Sequence, residues 1–402
     1  MKIDLHLLQN FAPSNLNRDD TGSPKDCEFG GVRRARISSQ CLKRAIRQAF
    51  AEHRLFGDAT DELLAARTKR LVDEAAKIMV AKGKSEDESR RILAFALQSA
   101  KLKVVEENKT QYLLFLPRRT VQALADLVLT HWDVLVAAVA AAVPEGAPAE
   151  EGAKKKSKSA EKKTARDAVP KDVAKLIEQT LEDSTKTPDL ALFGRMIADN
   201  PDWNIDAACQ VAHALSTNRV SMEFDFYTAV DDFRPRDNQG SDMMGTVAFQ
   251  SSCFYRYASL DVDALRKNLG AADGEDAKGL KSRTIEAFLR ASALAIPTGK
   301  QNSMAAQNRP SYLLALVRRS GTPQSLANAF VKPVRPQGDR SLIETSVEEI
   351  EKYLDRSLGL WGDDAKAFAC SEVDVTASAK PTRVKTFDAW VSDVVKATEA
   401  HE

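Results

Sequence analysis

Side chains that can hold phosphate groups are concentrated in one segment near the start of the chain. Between Glu28 and Glu52 there is no acidic residue, and the basic residues of the segment are Arg33, Arg34, Arg36, Lys43, Arg44 and Arg47. A solvated helix usually mixes both signs of charge, because opposite charges support each other across a turn. Positive charge alone suits the backbone of a polyanion, which it would hold by charge and spacing and not by base identity.

The spacing of the apolar residues predicts a helix over about residues 40–52, with these charges on one side of it. At about 100° per residue, the buried face would consist of Leu42, Ala45, Ile46, Ala49 and Phe50. Gln40, Lys43, Arg44 and Arg47 share an arc of roughly 100° on the other side. Ser38 or Ser39 is suited to cap the helix, and the free N–H groups of a helix start favour a phosphate. The preceding Gly30-Gly31 turn would let a ligand backbone come close.

Two interpretations of this helix remain open when its residues are taken alone. It is either a surface that binds nucleic acid or an ordinary solvated face, since runs of charge are common on protein surfaces. A regulator that reads DNA with a helix-turn-helix is disfavoured, because a strand pattern and not a short helix precedes the basic helix. The net charge of the chain is only +1, so any nucleic-acid site must gather its basic residues locally.

The remaining polar residues form no pattern typical of catalysis or metal binding. The five histidines lie apart from any nucleophile motif, and the five cysteines are widely spaced without a CxxC pair. The Asp231-Asp232 pair is more typical of a solvated turn than of a metal site. We therefore expect no enzyme activity, no cofactor and no metal. The cysteine usage, the lack of a membrane-length apolar run and the polar start predict a cytoplasmic protein without membrane contact.

Strand and helix patterns alternate along the chain and predict an α+β fold. Ile3, Leu5 and Leu7 alternate with polar residues as in a half-buried strand, and a loop is expected from Asn10 to Gly31. Residues 61–143 are mostly helical in pattern, and the composition of residues 146–170 predicts a lysine-rich surface loop. The strand patterns at 222–226 and 246–258 predict a long β-hairpin. The C-terminal part combines a strand at 312–317 with helices at 283–294, 347–358 and 386–398.

Several long motifs resemble the CasC family, the backbone subunits of the type I-E CRISPR surveillance complex, Cascade. The first is NLNRDDTGSPKDCEFGGVRRARISSQCLKRAIR at residues 15–47. The others follow in the family's order: LFGRM at 192–196, VAHALST at 211–217, FYTAVDD at 226–232, FQSSCFYRYASLDVDALRKNLG at 249–270, SLANAFVKPV at 325–334 and SEVDV at 371–375. The resemblance covers both ends of the chain and is weakest across about residues 58–188.

The resemblance implies a right-hand shape with an RRM-like (ferredoxin-type) palm, a helical fingers insertion and a β-hairpin thumb. The palm would comprise residues 1–57, with the RNA-binding helix, and 251–402; the fingers 58–190; a web segment 191–210; and the thumb 211–250. Copies would stack along the guide RNA (crRNA), kink it at regular intervals and leave bases free to pair with target DNA, without catalysis. The implied partners are the crRNA, target DNA through the guide, neighbouring copies of the chain, and the large subunit, small subunit, guide 5′-end cap subunit and repeat-processing endoribonuclease of Cascade.

The resemblance also implies roles for single residues. Ser38, Gln40, Lys43 and Arg47 match contacts to the guide backbone, and Arg34 and Arg44 join them as RNA-binding candidates. Arg18 and Lys25 match further positions linked to RNA or to the displaced duplex. Met196 matches a side chain that packs on a base at the kink, and Tyr227 and Thr228 match the thumb pair at the flipped nucleotide. Unbranched or aromatic side chains suit that role, because they contact a base face whatever the base is.

Two further expectations concern the lysine-rich loop and a rival function. Lys154, Lys155, Lys156 and Lys158 fall where the family tends to carry basic residues that help hold duplex DNA, which makes them candidates for DNA binding. The alternative function is a backbone subunit that cleaves target RNA, as related subunits of type III complexes do with an acidic residue in a palm loop. Asp19, Asp20 or Asp26 would be the candidates for that residue.

Overall fold

A computed structural model describes residues 1–142, 168–183, 185–198, 200–229, 232–233, 243–270, 275–374 and 376–400. The strands are β1 Lys2–Ser14, β2 Asp26–Phe29, β3 Val32–Ile37, β4 Ala65–Thr68, β5 Leu114–Pro117, β6 Cys209–Val211, β7 Ala214–Ser216, β8 Glu223–Ala229, β9 Met243–Asp261, β10 Tyr312–Arg318, β11 Lys366–Ser371 and β12 Thr382–Arg383. The helices are α1 Ser39–Glu52, α2 Thr60–Leu63, α3 Leu71–Ala81, α4 Glu86–Ser99, α5 Arg118–Thr130, α6 Trp132–Ala142, α7 Lys171–Glu182, α8 Pro188–Phe193, α9 Val262–Asn268, α10 Glu275–Leu294, α11 Gln301–Met304, α12 Leu342–Trp361 and α13 Phe387–Glu399. Short 3-10 turns lie between some of these elements.

The chain divides into two compact units. The first unit comprises Met1–Gly57, Ala208–Arg266 and Glu275–Glu402, and the second comprises Asp58–Ala207 and Lys267–Gly274. Helices and a large sheet occur together, which confirms the predicted α+β class.

A ten-stranded sheet forms the framework of the first unit, in the order β12-β11-β10-β1-β9-β7-β3-β2, with β6 and β8 also paired to β9. The long β1 lies between β9 and β10 and is antiparallel to both. Along the chain, β1 leads through α1 and then, after the second unit, to β6 and β7, β9, α10 and β10. Strands that are adjacent in this sheet are therefore far apart in sequence.

The two faces of this sheet are covered by different helices. α1 and α10 pack together on one face, and α10 also contacts α13. The opposite face is covered by α12 and the 3-10 turn Ala327–Phe330, which share a core with Leu8, Tyr255 and Leu314. Side chains alternate between the two faces along each strand, which explains how β1 supplies apolar residues to both cores.

Beneath α12, His6 is fully buried beside two tyrosines. Its Nδ1 lies 2.9 Å from the hydroxyl oxygen of Tyr255, and its ring stacks on that of Tyr257 at 5.2 Å. Burial, followed by the positive charge of Arg318, lowers the pKa of His6 to about 3. The histidine is therefore held in its neutral form inside the sheet.

The structure corrects the predicted start of the chain and confirms the later elements. The loop expected from Asn10 to Gly31 is wrong in part, because β1 continues to Ser14 across a β-bulge that accommodates Pro13, and β2 begins at Asp26. The predicted hairpin is confirmed by the pairing of β8 with β9. The predicted helices at 40–52, 347–358 and 386–398 are confirmed as α1, α12 and α13.

The second unit is mainly helical. α3 to α7 surround one apolar core that includes Leu93, Leu124 and Ile177, and β4 and β5 form a two-stranded sheet of their own. In the described ranges no helix by itself has the length and apolarity needed to cross a membrane. α5 and α6 meet that requirement only together, and they are bent by 77° relative to each other.

Candidate nucleic-acid interface

Helix α1 begins as its sequence predicts, with Ser38 as the N-cap. The Ser38 hydroxyl accepts a hydrogen bond from the Cys41 N–H at 3.3 Å, and the Ser38 N–H donates to Asn17 Oδ1 at 2.8 Å. The five apolar residues of the predicted inner face are the buried ones. Ser38 itself is buried at the start of the helix, so little of its side chain is accessible to a ligand. The inner face therefore fixes α1 on the unit, and the polar face is turned outward.

Several basic side chains on and before α1 are at least partly accessible, and four of them have no partner among the described residues. Gln40, Arg44 and Arg18 are exposed, while Lys43, Arg47 and Lys25 are partly exposed. None of the side chains of Arg18, Lys25, Lys43 and Arg44 forms an ion pair or hydrogen bond with another described residue. A merely solvated face would be expected to carry partner carboxylates. The structure thus brings together seven predicted RNA-binding residues in one unit, around one helix.

The positive side chains at this surface act on two neighbouring thiols. Burial raises the pKa of the Cys41 thiol, and Lys25 and Arg44 act against that rise. Burial likewise raises the pKa of Cys209 on β6, and Lys43 acts against it. The cations therefore lie within electrostatic reach of both sides of α1.

Arg36 extends this positive surface beyond the predicted residues, beside the neutral ring of His213. The Nδ1 of His213 lies 3.1 Å from the guanidinium of Arg36, and burial, then Arg36, then Lys25 lower the pKa of His213. The charges of Arg36 and Lys25 therefore act at the same place, where they would attract a phosphate. Neither Arg36 nor His213 was among the predicted RNA-binding residues, because strand pairing, which sequence spacing does not show, brings them together.

Arg34 is a correction to the sequence-based assignment. The side chain is fully buried, and its five N–H groups donate to backbone carbonyls: Phe29 (3.2 Å), Ser216 (3.1 Å), Thr217 (2.7 Å), Phe330 (2.7 Å) and Val331 (3.0 Å). This is the full donor capacity of an arginine. We therefore assign Arg34 to the scaffold, where it ties three segments together, and not to the RNA.

The Gly30-Gly31 turn also has a structural role that differs from the expected one. It is the two-residue turn of the β2–β3 hairpin, and both glycines have positive φ, +64° and +73°, as a type I′ turn requires. A Cβ on Gly30 would lie 2.0 Å from the Val331 carbonyl oxygen. The close approach at Gly30 is thus to the protein's own backbone and not to a ligand.

Met196 is an exposed apolar residue held on a rigid support in the second unit. Its side chain is 86% exposed, whereas Arg195 and Ile197 on either side are buried. The Arg195 guanidinium donates to the carbonyls of Trp203 at 2.8 Å and Glu182 at 3.1 Å. The placement excludes a role as core filler and suits contact with a ligand.

The β8–β9 hairpin presents apolar side chains to solvent on both of its faces. Tyr227 pairs with Gly245, where its ring occupies the space that a side chain would fill, and it is 40% exposed. Thr228, the next residue along the strand, points to the opposite face, with Phe224 and Phe226 (69% and 62% exposed). The predicted pair therefore offers one side chain to each face of the hairpin.

Some of the predicted residues lie outside the part of the chain that the structure describes: Lys154, Lys155, Lys156, Lys158 and Asp231. Within the part of the chain that the structure describes, no three His, Cys, Asp or Glu side chains are grouped as metal ligands would be.

Comparison with known proteins assigns the chain to a family. Residues 3–396 match the model of the CT1975-like proteins. The chain belongs to the CT1975-like protein family. Among curated proteins, none matches in sequence.

Two solved structures resemble this CT1975-like protein over nearly its whole length. One is a chain of a "CRISPR RNA-guided surveillance complex, pre-nicking", with a TM-score of 0.82 and 29% identity over 99% of this chain and 100% of that chain. The other is a chain of a "CRISPR RNA-guided surveillance complex", with a TM-score of 0.72 and 26% identity over the same shares. These matches confirm the sequence resemblance at the level of CRISPR surveillance-complex chains.

Proposed function

We propose that this CT1975-like protein is a backbone subunit of a CRISPR surveillance complex and holds the sugar–phosphate backbone of the guide RNA along α1. The observation that carries the proposal is the row of accessible cations at Lys25, Lys43 and Arg44, which have no ion-pair partner within the described ranges. The similarity to chains of RNA-guided surveillance complexes supports the identity of the ligand. A surface of point charges on a helix tracks phosphates without reading bases, so base pairing carries the sequence specificity.

We extend this proposal to the fold type, the assembly of copies and the path of the RNA. The β1-α1-β6/β7-β9-α10-β10 succession, with β1 central and antiparallel neighbours, supports a ferredoxin-type palm, into which the second unit is inserted as fingers and β8–β9 as the thumb. We infer that copies assemble along one RNA of a type I-E Cascade in the cytoplasm, with its large, small, cap and endoribonuclease subunits. Met196, Tyr227 and Thr228 would kink the RNA between stretches of bases that pair with target DNA.

We further propose that the chain is not catalytic and that the lysines of residues 154–158 hold duplex DNA. Cleavage of complementary RNA at regular spacing by the assembled complex with Mg²⁺ would contradict the first statement. An unchanged affinity for target duplex after neutralising Lys154, Lys155, Lys156 and Lys158 would contradict the second.

The central test replaces Lys43 and Arg47, which are four residues apart on α1, by alanine. We expect guide-RNA binding to weaken by about 1–3 kcal/mol, as for charged hydrogen bonds. The slope of log K against log salt should become shallower by about 1.4, from two lost phosphate contacts on a single strand. Both effects should be the same for guides of unrelated sequence, measured by filter binding or fluorescence anisotropy.

The matched control is Lys352→Ala with Arg356→Ala on α12, which removes the same charges at the same spacing from the opposite face of the sheet. This pair should leave RNA affinity and the salt slope unchanged. A loss that depends on guide sequence, or an equal loss in the α12 control, would rule out backbone tracking by α1.

A further inference from the structure

A cleft of about 480 Å³ opens beside α1 in the first unit. Three segments line it: the loop of residues 16–22, the side of α1 that carries Arg44 and Gln48, and residues 297–299 before α11. Lys43 lies on the other side of α1, near Cys209. The outward face of the helix is thus shared between a row of cations and the wall of a cleft.

The loop wall of this cleft is fixed by hydrogen bonds. The side-chain amide of Asn15 donates to the carbonyls of Gly22 at 3.0 Å and Ala248 at 2.9 Å, and the Lys25 N–H donates to the Asn17 carbonyl at 2.9 Å. Asp19 Oδ1 accepts from the backbone N–H of Thr21 and from its hydroxyl, which closes the turn.

The opposite wall is packed directly on that loop. A Cβ on Gly299 would lie 2.3 Å from the Leu16 carbonyl oxygen, so only glycine permits this contact. Lys300 and Ala305 follow in left-handed backbone conformations, with φ of +52° and +46°, which are strained for residues other than glycine. The cleft is therefore built before any ligand arrives, as recognition sites commonly are.

Five polar or charged side chains in the lining have no hydrogen-bond or ion-pair partner among the residues that the structure describes: Arg18, Asp20, Arg44, Gln48 and Thr298. An amide and a hydroxyl both donate and accept hydrogen bonds. A guanidinium donates hydrogen bonds at its edge and stacks on planar rings with its face. Leu16, Ala45 and Pro297 add apolar surface. The set suits a planar ligand with both donors and acceptors.

The charge of the lining argues against a phosphate. The lining contains two arginines, Arg18 and Arg44, and two aspartates, Asp19 and Asp20, so its formal charges cancel without an ion pair between described residues; Lys43 and Arg47 line no part of this cleft. Hydrogen bonds to the Asp19 carboxylate, first from the Thr21 hydroxyl, lower its pKa, so it stays negative. A neutral group is favoured here, and phosphates are favoured along the helix beside it.

We propose that this cleft binds one unstacked nucleobase, with its ribose, of the RNA strand whose backbone lies along α1. Gln48 and Thr298 hydrogen-bond to it, and the guanidinium of Arg18 covers its face. Single-stranded RNA is commonly bound in this way, with bases splayed out and stacked on arginine or aromatic planes. The inference rests on the proposed function, since it requires RNA on α1.

The test is a double-mutant cycle on the full-length chain with single-stranded RNA. RNAs that carry one 4-thiouridine at successive positions first locate the nucleotide that crosslinks to residues 16–22, 41–48 or 297–299. Gln48→Leu with Thr298→Val should weaken binding of intact RNA at least about fivefold, from two lost hydrogen bonds. Removing the base at the crosslinked position should weaken the wild type similarly and cause little further loss in the variant.

The control variant, Gln337→Leu with Thr322→Val, makes the same changes at exposed positions away from the cleft and should bind both RNAs as the wild type does. Additive losses in the cycle, or crosslinks confined to other segments, would overturn the proposal. Occupation of the cleft by a second copy of the chain, seen as a protein–protein crosslink without RNA, would overturn it as well. If only the cycle fails while Lys43→Ala with Arg47→Ala weakens binding, the proposed function stands; if that variant also binds normally, both fail.

Discussion

Replacing Arg34 by lysine tests whether this residue stabilises the fold or contacts the RNA. Lysine keeps the positive charge but has three donors from one atom, against the five that arginine spreads over carbonyls of three segments. At least two of these carbonyls would lose their hydrogen bond from this side chain; the Thr217 carbonyl would keep the one from the Val334 N–H. At about 1–3 kcal/mol for each carbonyl left unpaired, we expect a loss of about 2–6 kcal/mol in the free energy of unfolding.

Thermal unfolding followed by circular dichroism measures this loss. At about 2–4 °C per kcal/mol for a unit of 150–250 residues, the Tm should fall by at least about 4 °C. RNA affinity measured well below the Tm, and its salt slope, should stay close to the wild type, because no phosphate contact is removed.

Arg33→Lys is the matched control on the same strand. Arg33 is 73% exposed and, of the residues that the structure describes, pairs with Asp26 alone, at 3.1 Å, an exposed ion pair worth about 0–1 kcal/mol. The reasoning is refuted if Arg34→Lys leaves the Tm unchanged and lowers RNA affinity tenfold, since Arg34 would then be a ligand contact and not a tie.

Two further predictions concern stability. The pKa of His6 is lowered from 6.5 to about 3, so the unfolded state takes up a proton in this range that the folded state does not, and the free energy of unfolding should fall by about 5 kcal/mol between pH 6.5 and pH 3. For His6→Gln the free energy of unfolding, measured in urea across the same range, should fall less steeply. Equal slopes for the two proteins would contradict a buried neutral histidine. Gly31→Ala, with open space around it but φ +73°, should cost about 1–2 kcal/mol, whereas Gly30→Ala should cost clearly more because its Cβ meets the Val331 carbonyl; equal urea midpoints for the two variants would show that the close approach at Gly30 does not matter.

The sequence predicted the basic helix well because its evidence is local. Apolar spacing defines the buried face of α1, and the N-cap depends on Ser38, only three residues from the amide it accepts from. The β8–β9 hairpin is equally local, with alternation on both strands. The extension of β1 to Ser14 was missed, since Pro13 reads as a loop signal unless the bulge opposite β9 is known.

The long-range parts of the interface were not accessible from the sequence. Arg34 sits among arginines in the sequence and looks like them, but its carbonyl partners lie at residues 29, 216–217 and 330–331. Gln48 and Thr298 are separated by 250 residues, and only the fold places both on one cleft. For Thr298, Pro297 and Gly299 on either side were a weak sequence signal of an unusual loop.

The hydrogen bonds of Arg34 also determine when this part of the fold can form during synthesis of the chain. Two of its carbonyl partners are residues 330 and 331, so they do not exist until more than four-fifths of the chain has been synthesised. In the same way, β1 cannot pair with its neighbours in the sheet until β9 and β10 have been synthesised. At about 5–20 residues per second, the ribosome needs roughly 15 seconds or more to synthesise the residues that Arg34, on the strand before α1, must contact. A nascent chain thus displays its cations early but completes their support only near the end of translation, when a finished subunit can join RNA.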